Sequence, residues 1–146
     1  MKTYYKMLVL LAIIFMINNS SFSQVSISYY NSNHSKIGLG YDFSNRLWSE
    51  FRIYDSHYFM DFTPELVFCY DIIKKEKHSV YAGVGGILHI YNGIVIPIGT
   101  QIYLFEKNRR FSLHIEFQPT IDFENGIIYQ SSLGIRYRFG DKYFKE

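Results

Sequence analysis

The sequence predicts an all-β chain: an eight-stranded antiparallel up-and-down transmembrane β-barrel behind a cleavable N-terminal signal peptide. Three observations predict it. Residues 1–23 have the layout of an export signal. The remainder alternates apolar and polar residues with a period of two almost throughout. The polar parity also collects glycine and serine beside its charges, which a water-facing sheet has no reason to do.

In the leader, Lys2 and Lys6 precede an apolar run from Met7 to Ile17, followed by Asn18, Asn19, Ser20 and the small-x-small site Ser21-Phe22-Ser23. That run is too short for a spanning helix, which needs about 20 residues. Cleavage after Ser23 would start the mature chain at Gln24, which is not the cysteine of a lipoprotein. Cleavage would also remove Lys2 and Lys6, so the net charge of +2 falls to zero. No basic stripe for nucleic acid or a polybasic membrane patch then remains. Hydrophobic residues make up 48% and charged residues 19%, against about a quarter charged in ordinary soluble domains. A mean hydropathy of −0.06 argues against a helical membrane protein. Cys69 is the only cysteine, so no intrachain disulfide can form.

Eight alternating segments follow in order. Segment 24–30 sets Val25, Ile27 and Tyr29 against Ser26 and Ser28. Segment 35–43 sets Ile37, Leu39, Tyr41 and Phe43 against Lys36, Gly38, Gly40 and Asp42. Segment 46–55 sets Leu47, Phe51 and Ile53 against Trp48, Glu50 and Arg52. Segment 60–72 sets Leu66, Phe68, Tyr70 and Ile72 against Glu65, Val67, Cys69 and Asp71. Segment 78–90 sets Val80, Ala82 and Val84 against Ser79, Tyr81, Gly83 and Gly85. Segment 94–105 sets Ile94, Ile96, Ile98, Ile102 and Leu104 against Pro97, Gly99, Gln101 and Tyr103. Segment 109–118 sets Phe111, Leu113, Ile115 and Phe117 against Arg110, Ser112, His114, Glu116 and Gln118. Segment 127–139 sets Ile127, Tyr129, Leu133, Ile135, Tyr137 and Phe139 against Gln130, Ser132, Gly134, Arg136 and Arg138. Turn residues separate them, among them Ser44-Asn45, Lys74 to Lys77, Asn92-Gly93, Lys107-Asn108 and Asn125-Gly126.

Two architectures fit this pattern: a membrane barrel with an apolar exterior, or a soluble periplasmic ligand-binding barrel with an apolar interior. Glycine and serine beside charge on one parity favour the first, because the interior of eight strands has room only for interdigitated side chains. The predicted lumen network is Lys36, Glu50, Arg52, Glu65, Asp71, Glu116, Arg136 and Arg138, paired because an unpaired buried charge costs several kcal/mol. Matching inward faces in the second hairpin sets Gly40 against Glu50 and Gly38 against Arg52, so that small residues make space for charged ones. Aromatics on the apolar parity form two interfacial girdles: Tyr41, Phe43, Tyr70, Tyr137 and Phe139 at the inner side, Phe62, Tyr29 and Tyr129 at the outer. Short inner turns and longer outer loops at 55–61 and 119–126 agree with an N-terminus in the periplasm.

With a leader, eight alternating segments and a last strand Leu133-Gly-Ile-Arg-Tyr-Arg-Phe139, the chain resembles the small outer-membrane β-barrel proteins, the OmpX-like and OmpA-type transmembrane domains. The resemblance implies a barrel over 24–140 with a short tail at 141–146, in the outer membrane of a Gram-negative cell. It implies outer-membrane lipid as surroundings, barrel-insertion machinery recognising the last strand, and a role in the envelope that is structural or works through an extracellular partner at the outer loops. A monomer without cofactor or metal is expected.

An alternative is a rim-located acyltransferase. His34-Ser35 and Asp55-Ser56-His57 supply His, Asp and Ser at one rim, in an order similar to that of the lipid A palmitoyltransferase. These are three common residue types in loops without a flanking motif. The five histidines (34, 57, 78, 89 and 114) lack metal-ligand spacing, and Gly83 to Gly86 is no dinucleotide fingerprint.

Overall fold

The computed structural model describes residues 6–7, 25–55, 63–88, 92–106 and 109–139. The proposed leader cleavage site, Ser56-His57, Phe62, His89, Lys107-Asn108 and the tail at 141–146 lie outside the described residues.

The strands are β1 (Val25–Asn31), β2 (Lys36–Asp42), β3 (Leu47–Tyr54), β4 (Thr63–Lys74), β5 (His78–Ile87), β6 (Gly93–Val95), β7 (Ile98–Tyr103), β8 (Phe111–Asp122) and β9 (Gly126–Arg138). All pairings are antiparallel between neighbours, and β9 pairs with β1, which closes the sheet into a barrel. Short elements β6 and β7 lie end to end. Both pair with β5 and with β8, in one uninterrupted register from Ile87↔Gly93 to His78↔Ile102. They form one wall strand, so the barrel has eight.

The break in that strand corrects the expected continuous segment 94–105, and proline explains it. Gly83 N donates to Pro97 O at 2.8 Å, and Ile96 N donates to Pro119 O at 2.9 Å. Neither proline has an N–H with which to return the bond, so adjacent sites of the ladder are each short of one bond.

Pro119 also reads as a strand end in the sequence, and the long outer loop expected at 119–126 is not there. The β8–β9 ladder continues through Pro119↔Tyr129 to Asp122↔Gly126. The missing N–H falls on the side of Ile96, away from β9, so this hairpin is undisturbed. Its loop is three residues, 123–125. Gly126 supplies a φ of +88°, and the Asp122 carboxylate accepts from Glu124 N and Asn125 Nδ2 at 3.2 and 2.7 Å.

A further correction concerns β4, which runs to Lys74 rather than ending at 72. Asp71 pairs with Tyr81, but Ile73 pairs with Val80, so Ile72 is an extra bulge residue. The bulge leaves Ile72 and Ile73 both exposed and brings Lys74 to the face that Ser79 occupies, the inside.

Parity elsewhere sorts the side chains as the pattern implies. Ile27, Leu39, Phe51, Phe68, Val84, Ile115 and Leu133 are exposed on the outer wall, while Ser28, Glu50, Arg52, Glu116 and Arg136 are buried inside. A soluble barrel with an apolar interior needs the opposite sorting. The second hairpin takes the register deduced from inward matching, with Gly40↔Glu50 and Gly38↔Arg52, and Phe43 N donating to Leu47 O at 2.9 Å.

The interior has two zones. Trp48, Tyr54, Val67, Cys69, Tyr81, Ile87 and Val95 form an apolar cluster on one wall. Charged and amide side chains fill the rest. Glycine makes room for the large rings: a Cβ on Gly134 would sit 2.5 Å from Tyr30 Cδ1, and one on Gly99 would sit 2.6 Å from the Tyr81 hydroxyl.

Candidate functional site

Every Asp, Glu, Lys and Arg in the described strands lies on the inward parity. The alternation of each strand turns its own charges inward, and closure brings them together from across the barrel.

Six of the eight expected lumen residues meet in one cluster: Lys36, Glu50, Arg52, Glu65, Glu116 and Arg136, three cations and three carboxylates. Arg52, on β3, is its centre. Its Nε donates to Glu50 Oε1 at 2.6 Å, Nη1 to Glu65 Oε1 at 3.0 Å, and Nη1 and Nη2 to the two oxygens of Glu116 at 2.8 Å each. The Glu116 contact is bidentate, the geometry in which a guanidinium binds a carboxylate most strongly. Lys36 Nζ donates to Glu116 Oε1 at 3.2 Å and to Gln118 Oε1 at 2.9 Å, and lies 3.7 Å from Glu65. Arg136 Nη2 donates to Glu50 Oε2 at 2.5 Å, and its guanidinium stacks 4.0 Å above the Trp48 ring. The paired side chains of this cluster are 0–2% exposed.

The other two lie apart from it. Arg138 donates from Nε to Asp42 Oδ2 at 3.0 Å and from Nη2 to Gln101 Oε1 at 3.2 Å. Asp71 accepts from Trp48 Nε1 at 3.0 Å and lies 3.9 Å from Lys74.

Reading charges alone misses the neutral half of the network. Tyr81 OH donates to Glu116 at 2.6 Å, Tyr54 OH to Glu65 at 2.7 Å, Ser28 Oγ to Glu50 at 2.8 Å, and Gln118 Nε2 to Glu65 at 2.9 Å. The signal was present: these residues share the inward parity, and a buried phenol needs a partner. The place of Gly38 also differs from the pairing argument. A Cβ there would sit 2.7 Å from Glu50 Cδ and 2.5 Å from Ser28 Oγ, so Gly38 makes room for Glu50 rather than for its ladder partner Arg52. Strand side chains lean along the strand, so the partner in register is not always the neighbour in space.

On the outer wall, aromatics gather at the end that holds Val25 and Arg138. Tyr41 packs on Phe43 with centroids 5.1 Å apart, Phe111 on Tyr137 at 4.8 Å, and Tyr137 on Phe139 at 5.2 Å. Tyr70 is exposed on the same face, at the same end of β4. Toward the opposite end, Tyr129 stacks on Phe117 at 5.8 Å, and Tyr29 is exposed.

At the opposite rim, Asp55 N donates to Ser35 O at 2.7 Å, so the His34-Ser35 and Asp55 segments are neighbours. His34 lines a niche of about 160 Å³ with Ser32, Asn33, Tyr129 and Gln130. The Ser56 and His57 of the acyltransfer constellation are outside the described residues. Among the described residues no group of His, Cys, Asp and Glu has the arrangement to hold a metal ion. Cys69 is buried in the apolar cluster.

No family model matches the chain, and no curated protein matches it. Among solved structures it is similar to the N-terminal β-barrel domain of Pseudomonas aeruginosa OprF, with a TM-score of 0.63 and 15% identity over 79% of this chain and 96% of that domain. At that identity the likeness is one of fold, and it meets the resemblance to OmpA-type barrels drawn from the residue pattern. The chain is an all-β, closed eight-stranded antiparallel barrel with a buried charged network inside, similar in fold to the OprF barrel domain.

Proposed function

We propose that this chain is an outer-membrane barrel with a structural or partner-presenting role in the cell envelope, and that it is not a general porin. One observation carries the reading: the strands direct all their charges inward and present an outer wall of Ile, Leu, Val, Phe and Tyr. Such a wall is stable in hydrocarbon and a liability in water. A single Lys or Arg on it would cost about 2–4 kcal/mol at the bilayer midplane.

The side chains of the central cluster are essentially inaccessible to solvent, which supports a plugged lumen. An eight-stranded barrel is filled by its own side chains in any case. The chain works as a monomer. Its last strand, Leu133 to Phe139, is the segment that barrel-insertion machinery would recognise, and its outer turns are what an extracellular partner would meet. The leader at 1–23 carries it across the inner membrane.

Membrane fractionation with heat-shifted gel mobility tests this. The expected result is a band in the outer-membrane fraction that runs faster unheated than boiled. Recovery in the soluble periplasmic fraction would overturn the membrane reading. A steady single-channel conductance in planar bilayers would overturn the plug.

A further inference from the structure

The two mouths of the barrel carry opposite charge. The mouth at the chain termini is built from residues 43–46, 75–77 and the described part of 104–110. Its turns hold Arg46, Lys75, Lys77, Arg109 and Arg110 against Glu76 and Glu106, a net of +3. The described turns of the opposite mouth hold Asp55 and Glu124 and no Lys or Arg, a net of −2, with Asp122 beside them at the end of β8. The residues after the expected leader are neutral as a whole, so this is a separation of charge and not an excess of it, and it corrects the expectation from net charge that no basic membrane patch remains.

The basic mouth is also greasy. Phe43, Leu47, Ile72, Ile73, Phe105 and Phe111 lie in or beside the same turns, all exposed on the outer wall. Phe105 and Phe111 pack 6.4 Å apart, just beyond Tyr137. Cations therefore sit at the edge of an aromatic and aliphatic belt. A polyanion such as a cell-wall polymer would answer the cations and leave the belt uncovered. A phospholipid leaflet answers both, acyl chains against the belt and phosphate against the cations.

We propose that the mouth at the chain termini is a collar that binds anionic phospholipid headgroups and so enriches anionic lipid around one end of the barrel. The proposal rests on the membrane reading above and adds which lipid the barrel selects, and where. The electrostatic contribution falls off over about 8 Å at physiological salt, so the collar acts on lipids in contact with it. A cation near an anionic surface is worth about fivefold in association, and sharing among neighbouring lipids reduces what any one lipid experiences.

The experiment places the full chain in vesicles of equal phosphatidylcholine and phosphatidylglycerol and measures the relative association of spin-labelled forms of each lipid. The expected result is a preference of about two- to fivefold for phosphatidylglycerol, collapsing toward equality in 1 M salt. Joint substitution Lys75→Gln and Arg110→Gln should remove most of the preference, and Glu124→Gln at the opposite mouth should leave it in place. Heat-shifted mobility of each variant checks that the barrel is folded, and Arg46→Gln with Lys75→Gln serves if the first pair does not fold. Equal association of the two lipids, a preference that survives 1 M salt, or equal sensitivity to Glu124→Gln would overturn the collar and leave the membrane reading standing. Failure to insert into any vesicle would remove both. Binding to purified cell-wall polymer in preference to phosphatidylglycerol vesicles would assign the collar to that polymer and overturn the lipid assignment.

Discussion

Replacing Arg52 with methionine is the sharpest perturbation of the interior. Arg52→Met keeps a long flexible side chain in the space and removes only the guanidinium. The wild-type cluster balances three cations against three carboxylates. The variant leaves Lys36 and Arg136 to face Glu50, Glu65 and Glu116. Four donor contacts of 2.6–3.0 Å disappear, including the bidentate pair on Glu116. Stranding a buried carboxylate in this way costs about 3–5 kcal/mol. The assay is urea unfolding in lipid vesicles, followed by the fluorescence of Trp48, the only tryptophan and 2% exposed. The double variant Arg52→Met with Glu116→Leu restores balance, two cations against two carboxylates. It should recover part of the loss, with a coupling energy of about 1–3 kcal/mol between the sites. A single-variant loss below about 1 kcal/mol, or strict additivity in the double, would refute the idea that the cluster is one balanced unit.

Two further outcomes follow from local geometry. Gly134→Ala places a Cβ 2.5 Å from the Tyr30 ring and 2.9 Å from Tyr29 O. It should destabilise the barrel by about 1–3 kcal/mol as overpacking, read as a lower temperature for loss of the heat-shifted band; an unchanged temperature would mean that Tyr30 repacks freely. Lys77 Nζ lies 2.8 Å from Glu106 in the exposed turns, and its hydrogen bond and charge hold the Glu106 carboxyl below the usual range. The stabilisation from Glu106 is therefore present above the ordinary carboxylate range and lost as pH falls through its depressed value. In Lys77→Ala the Glu106 titration, followed by carboxyl NMR, should move back up, and added salt should do the same in the wild type.

Much of the fold was legible because a strand has a period of two. A residue such as Arg136, between Ile135 and Tyr137, has its face decided by its immediate neighbours. The register of the second hairpin was equally local, since opposing inward residues must match. The strand break at Pro97, the bulge at Ile72 and the three-residue hairpin after Asp122 were not legible. Each depends on which neighbouring strand a given N–H would have faced, and that is a property of the closed sheet. The cost of Pro119, for example, falls on the ladder at Ile96, in the gap between β6 and β7, and spares β9.

The network divides along the same line. Within an uninterrupted strand the sequence by itself determined which residues go inside, because alternation is a near-neighbour property and a charge avoids an apolar wall; Lys74 goes inside only through the bulge at Ile72. Only the tertiary structure decided who pairs with whom. Lys36 and Glu116 are 80 residues apart, as are Glu50 and Arg136 by 86. Their distances are set by closure and stagger of the barrel, by the lean of each side chain along its strand, and by the space left at Gly38, Gly99 and Gly134. The chain's modest mean hydropathy follows from the same arrangement, an apolar outer wall averaged with a charged and glycine-lined interior.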